Sequence, residues 1–182
     1  MNKLQCGDGT VCLPAERCIT LCQQLPRAAD LDAALRSAEQ FRQAVLGNGL
    51  MTVNRVHSVS AGQIKLQRIW SSMPREYPVG GTKVKVMTDW TRQLLLQSEI
   101  FVGEGTAALE EVFDDVRLIV SMGLRAVVNV PLVRQDGSCF ATFNVLGMQE
   151  RWTVGDRATI SLLAELIRPH VATHVTRVAE LT

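Results

Sequence analysis

Between Arg125 and Leu146 the chain carries two apolar runs separated by Gln135-Asp136-Gly137, and this pair limits the fold more than any other stretch. Arg125 to Arg134 has an almost unbroken apolar centre, the pattern of a strand buried on both faces. Gly137 can take the positive φ that a tight turn demands, so Ser138–Leu146 is predicted to return as the antiparallel partner. A strand covered on both faces needs a layer above and a layer below, which the rest of the sequence must supply.

Upstream, Pro14-Ala15-Glu16 suits a helix start, because proline gives up no needed donor at the first helical position, and this short helix should reach Gln24 before Pro26. Asp30 is placed to cap a second helix, on which Leu31, Leu35, Ala38, Phe41 and Val45 recur at helical spacing until Gly47-Asn48-Gly49. The period then shortens. Met51–Val56 and Ile64–Trp70 are β-rich runs joined by Ser58-Val59-Ser60-Ala61-Gly62, a predicted hairpin. Ser71 to Thr88, with Pro74, Pro78, Gly80 and Gly81, reads as a long loop of the kind that is usually functional or mobile. Asp89 opens a short helix through Gln97. After Gly103-Glu104-Gly105-Thr106, read as a tight turn, one helix is expected to carry Leu109, Val112, Phe113, Val116 and Val120 to Gly123 at its C′ position. Thr153 and Asp156 form a capping-box-like pair at the start of the last helix, which Pro169 is expected to bend or interrupt.

The resulting order is helices, two strands, a helical and loop-rich insertion, two strands and a closing helix. It predicts an α+β fold: an antiparallel sheet with terminal helices on one face and the insertion roofing a pocket on the other. Residues 1–29 are read as an N-terminal segment with a short helix, and 30–182 as the domain.

At 182 residues one domain is the default, and 47% apolar with 20% charged residues is the ordinary globular range. A formal net charge of +1, with no long run of either sign, argues against nucleic-acid or anionic-membrane partners. No apolar stretch approaches the roughly 18–20 residues that span a bilayer. Met1 to Cys12 has one lysine and no apolar h-region, so no secretory signal is read there and a cytoplasmic location is expected. Cys6, Cys12, Cys18 and Cys22 follow a C-x5-C-x5-C-x3-C spacing that matches no zinc pattern, which leaves interface packing, metal or redox roles open.

The segment Ile119-Val-Ser-Met-Gly-Leu-Arg-Ala-Val-Val-Asn-Val-Pro-Leu-Val133 resembles the GAF-domain signature, in which an apolar helix ends at a glycine turn before a strand that ends near proline. The resemblance continues through Gly137-Ser-Cys-Phe-Ala-Thr-Phe-Asn-Val-Leu-Gly147 and closes on Trp152-Thr153-Val154-Gly155-Asp156, covering roughly residues 30–180. It implies a GAF/PAS-like (profilin-like) sensor domain in signal transduction, dimeric through its terminal helices, with a small-molecule pocket between sheet and roof. Family ligands are diverse, so the resemblance leaves the ligand and any cofactor open.

Specialised members of the family carry motifs that this sequence lacks. The Asn-Lys-x-x-x-Phe-x-x-x-Asp-Glu pattern of cyclic-nucleotide binders is missing, and none of the five cysteines is followed by the histidine frequent in bilin attachment. Where GAF-scaffold methionine sulfoxide reductases place a cysteine, the sequence reads Val120-Ser121-Met122-Gly123. A thiol oxidoreductase would therefore rest on Cys139, which would need an activating environment. His170 and His174, four apart, lack an acidic or cysteine partner at metal-motif spacing, so no metal site is assigned.

The informative side chains are polar ones inside apolar strands, where burial without a partner costs about 1–3 kcal/mol each. Strict alternation places Arg68 and Trp70 on one face, and Phe140, Thr142 and Asn144 on one face, with Asn129 mid-strand. Together they suit a ligand with carboxylate or amide groups. The alternative is that the asparagines bond to the protein itself and Arg68 reaches solvent. Tyr77, Trp90, Leu94, Phe101 and Phe113 are the roof candidates. The expected function is a small-molecule-binding sensor domain of homodimeric build with a metabolite-sized ligand. The alternatives are the Cys139 enzyme and a ligand-free dimerisation module.

Overall fold

A computed structural model describes residues 12–60 and 63–180, so Cys6 and the predicted hairpin tip at Ala61-Gly62 lie outside the described residues. In chain order the elements are α1 (Ala15–Gln24), α2 (Leu31–Leu46), β1 (Gly49–Ser60), β2 (Gln63–Ser71), β3 (Thr82–Val86), α3 (Asp89–Thr91), β4 (Phe101–Glu104), α4 (Gly105–Val112), α5 (Val116–Ser121), β5 (Ala126–Val133), β6 (Cys139–Gly147) and α6 (Val154–Glu180). They form two compact units, one of the terminal helices and one of residues 49–151.

In the helical unit α2 packs on both α1 and α6. The Asp30 carboxylate accepts the Ala33 N–H at 2.8 Å and so starts α2 where the capping pattern placed it. Its buried face carries Leu31, Ala34, Leu35, Ala38 and Phe41. Arg42 lies on that face too, fully buried and bonded to both oxygens of Glu39, at 2.5 and 2.7 Å, and to the Gly47 carbonyl at 3.0 Å. Thr153 and Asp156 exchange reciprocal 3.1 Å bonds, a true capping box at the head of α6. The interruption expected at Pro169 does not occur, and α6 runs unbroken through it. Pro169 stands on the exposed side, while the buried stripe Ile160, Leu163, Ala164, Ile167, Val171 and Val175 continues across it at helical spacing. Packing of that stripe holds the helix at the cost of one backbone bond.

The other unit is built on an antiparallel sheet of order β3-β2-β1-β6-β5-β4. The β5–β6 hairpin lies inside it, with every residue of β6 buried and Gly137 at φ +83° in the turn. Neither edge strand is read from the sequence: β3 lies inside the predicted loop, and β4 runs from the unassigned Phe101-Val102 into the predicted turn at Gly103-Glu104. Each is short, so ladder pairing rather than its own patterning makes it a strand. The single helix predicted after Gly105 is broken at Phe113-Asp114-Asp115 into α4 and α5. Gly103 is a packing glycine: a Cβ there would lie 3.0 Å from the Phe101 ring and 3.1 Å from Val127.

Of the three register shifts in the sheet, two set which of the candidate side chains share a face. In β2, Arg68 pairs with Asn54 and Trp70 with Val53, leaving Ile69 as the extra residue. Directly paired residues point the same way, and Val53 and Asn54 point oppositely, so Arg68 and Trp70 lie on opposite faces rather than together. In β6, Ala141 pairs with Leu132 and Cys139 with Val133, which leaves Phe140 out of the ladder. Phe140 therefore does not continue the alternation of Thr142 and Asn144. Its ring instead takes the Arg134 guanidinium at 5.1 Å.

Candidate ligand cavity

The insertion meets the sheet through two apolar clusters. One joins Leu50, Leu109, Ile119, Leu124, Val127 and Leu146 to Tyr77, with Phe101 and Phe113 packed against it. The other joins Ile64, Leu66, Leu94, Leu95 and Cys139, flanked by Trp90. Between them remains a cavity of about 40 Å³, room for roughly three waters or a ligand of a few heavy atoms.

Of the residues singled out from sequence, Arg68, Tyr77, Trp90, Phe113, Asn129 and Asn144 line this cavity. Thr142 shares the face and meets the cavity through Asn144 and Asn54, both of which donate to its hydroxyl. Phe101 packs into the first cluster, Trp70 is turned to the other face, and Phe140 stands at its bulge. Sequence reasoning missed Thr52, Asn54, Lys83 and Lys85, which also line the cavity. Lys83 and Lys85 alternate with Val84 and Val86 on β3, a pattern that ordinarily turns lysine to water. Here the valines are the exposed residues, at 58% and 62%, and the lysines point inward. Inward-pointing charge on an edge strand also discourages a further strand from pairing there.

The floor is a directed chain of hydrogen bonds. The Trp90 indole N–H donates to Asn129 Oδ1 (3.0 Å), and Asn129 Nδ2 donates to Asn144 Oδ1 (2.8 Å). Asn144 Nδ2 in turn donates to Thr142 Oγ1 (3.1 Å) and Thr52 Oγ1 (3.3 Å). These amides are satisfied by the protein.

The rim is cationic. Lys83 pairs with Asp115 at 2.8 Å and Lys85 with Asp114 at 2.6 Å, tying β3 to the break between α4 and α5. Arg68 stacks its guanidinium 3.5 Å from the Tyr77 ring centroid and donates Nη1–H to the Pro78 carbonyl at 2.8 Å. Its Nε is buried with no hydrogen-bond partner. Burial lowers the Arg68 pKa from its ordinary value, against the opposing pull of Tyr77 and Asp115. Burial, with Asp115 nearby, raises that of the Tyr77 phenol.

Burial would also raise the Asp115 pKa, but the Lys83 ammonium and Tyr77 hydroxyl outweigh it and hold the carboxyl below its usual range. The Lys83–Asp115 contribution to stability is therefore complete above the unfolded carboxylate value near ~3.9 and is lost as pH falls through the lower native value. Lys83→Met should make the urea midpoint less sensitive to pH below about 4. Because both partners are partly exposed, it should cost only about 0.2–1 kcal/mol at neutral pH.

Cys139 is not positioned for thiol chemistry. It is buried in the second cluster, its S–H donates to the Ala141 carbonyl at 3.2 Å, and burial pushes its pKa up to about 11. A thiol probe on native protein should label exposed Cys22 first and Cys139 only on unfolding, with peptide mass mapping as the readout. Among the described residues no His/Cys/Asp/Glu cluster could hold a metal ion, and no helix is long and apolar enough to cross a membrane.

No protein-family model and no curated protein matches the sequence. Solved structures do. The GAF domain of a phosphoenolpyruvate-protein phosphotransferase from Coxiella burnetii superposes with a TM-score of 0.65 at 11% identity, over 91% of this chain and 96% of that one. The GAF domain of a two-component sensor histidine kinase from Bacillus halodurans gives 0.62 at 14% identity, over 85% and 99%. The chromophore-binding domain of a bacteriophytochrome from R. palustris gives 0.60 at 13% identity over 87% of this chain, which spans 61% of that longer one. This chain has the GAF fold, an antiparallel α+β architecture.

Proposed function

We propose that this chain is a small-molecule-binding regulatory domain, with residues 30–182 as the sensing domain and the cavity between sheet and insertion as its site. The observation that carries the reading is the cavity and the half-buried Arg68 on its wall, whose guanidinium stacks on Tyr77 and bonds to the Pro78 carbonyl while the amides of the floor are paired among themselves. A partly desolvated guanidinium with no carboxylate partner gains by binding an acceptor. The sensor-kinase and chromophore-binding neighbours of the same fold support a sensing role. The ligand-binding residues in this reading are Arg68, Tyr77, Trp90, Phe113, Asn129 and Asn144, with Thr52, Asn54, Lys83 and Lys85 added. A cytoplasmic homodimer through the terminal helices belongs to the same proposal, supported by exposed Ile19 on α1 and exposed Val154 and Leu162 on α6. A monomer by light scattering at micromolar concentration would overturn the dimer.

Native mass spectrometry of freshly purified protein, followed by thermal-shift screening of small metabolites, tests the site. A bound ligand stabilises by RT ln(1 + [L]/Kd), about 2.7 kcal/mol at one hundred times Kd. A chain that carries no co-purified molecule and responds to none of the screen is a ligand-free dimerisation module.

A further inference from the structure

We infer that the two lysine–aspartate pairs of the rim latch the mouth of the cavity, and that the Phe113-Asp114-Asp115 turn parts from β3 to let a molecule in. This adds control of entry to the binding reading above and rests on it for its purpose. Lys83 and Lys85 line the cavity from one side, Val112 and Phe113 from the other. Across that gap Lys83 meets Asp115 and Lys85 meets Asp114. Lys85 also donates to the Val112 carbonyl at 3.3 Å, one of the last carbonyls of α4 that the helix itself leaves unbonded. The Lys85 side chain is 13% exposed and that of Asp114 74%, so this pair runs from the cavity lining out to water. The bridges stand at an opening, not behind a closed wall.

The turn is the side that moves. β3 is held along its length by β2, from Thr82 opposite Gln67 to Val86 opposite Gln63. Just before it, Gly80 donates to the Arg68 carbonyl and Gly81 accepts the Arg68 N–H. The turn has no such ladder. It joins helices of eight and six residues, anchored in the first cluster by Leu109 and Ile119, and both of its carboxylates are gripped from β3. Helices this short depend on tertiary contacts to hold their place. The strength of the grip suits a latch. A partly exposed ion pair shifts an equilibrium by roughly 1.4- to 5-fold, so the two together contribute roughly 2- to 25-fold to closure. That is enough to bias the mouth shut and too little to seal it.

Trp90 reports from beneath the latch. Lys85 Nζ lies 6.0 Å from its ring centroid, and its indole N–H donates to Asn129 on the cavity floor. Exchange of that proton with water needs the bond to part and solvent to arrive there. The test is indole N–H exchange by NMR on the full chain, whose three tryptophans are Trp70, Trp90 and Trp152, with Trp90→Phe to assign the signal. Asp114→Lys should speed Trp90 exchange by at least roughly 1.4- to 5-fold and leave Trp70 and Trp152 at their natural rates. The swap Lys85→Glu with Asp114→Lys, which restores a pair of opposite charges, should bring most of the difference back. Raising sodium chloride from about 0.1 M to about 1 M cuts the screening length from about 10 Å to about 3 Å, and should speed Trp90 more in the natural chain than in Asp114→Asn.

An unchanged Trp90 in Asp114→Lys, or no recovery in the swap, would overturn the latch. So would equal acceleration of all three indoles, which marks a loss of global stability. Should Asp114→Lys fail to fold, the salt series on the natural chain decides, selective acceleration of Trp90 supporting the latch and an unresponsive Trp90 overturning it. No ligand enters these measurements, so their failure leaves the binding reading to its own test.

Discussion

Arg42→Ala is expected to lose about 3–5 kcal/mol of stability, a third or more of the roughly 5–15 kcal/mol that holds a domain together. Arg42 is completely buried on the packed face of α2, where a cation survives only because Glu39 meets it with both oxygens. Truncation leaves the Glu39 carboxylate largely buried with only Gln43 still donating to it, at 2.8 Å. It also frees the Gly47 carbonyl, which Nη1 holds just past the end of α2, where Gly47 turns the chain at φ +84°. Urea unfolding followed by circular dichroism reads the loss directly. The sharper contrast is the double replacement Glu39→Leu with Arg42→Met. Removing both charges together spares the cost of an orphaned ion, so the double variant should be far closer to the natural chain than Arg42→Ala alone. A double variant as unstable as the single one would show that the side chains serve α2 through shape rather than pairing.

Asn144→Leu should cost about 1–3 kcal/mol despite preserving volume, because Asn144 is the hub of the cavity floor. It is the acceptor for Asn129 Nδ2 and the donor to Thr142 and Thr52. Leucine leaves Asn129 with an orphaned, almost fully buried donor, whereas the threonine hydroxyls can turn to other acceptors. Trp90 donates to Asn129, so the disturbance should reach the indole and alter its near-ultraviolet dichroism. Thr142→Val, at the end of the chain of bonds, should cost less and leave that signal unchanged. An Asn144→Leu variant within experimental error of the natural chain in both readouts would show that the floor is not a connected network.

The long elements were legible because their signals are redundant. In α2, the Asp30 cap, the apolar stripe and the terminal glycine agree, and the β5–β6 hairpin combines two apolar runs with a glycine turn. Edge strands β3 and β4 were not legible, since five and four residues carry too little pattern and exist by pairing with a neighbour. For the site, the rule that a polar side chain within an apolar strand has a reason to be there picked out Arg68, Asn129 and Asn144. It passed over Lys83 and Lys85, because alternating lysine and valine is also what a solvent-facing edge looks like. Trp70 and Phe140 were misplaced for one reason: a bulge changes the parity of a strand without leaving a distinctive residue behind. Propensity reads types of residue. It does not count them against a partner strand.

Ile69 therefore gives the strand a tolerance in its length. Removing that single residue would leave Arg68 opposite Asn54 and Trp70 opposite Val53 in an unbroken ladder, still on different sides of the sheet. Homologous chains lacking it would keep the same side chain on each face and lose only the kink and added twist of the bulge. In comparing such chains, a gap at that position would be silent for the lining.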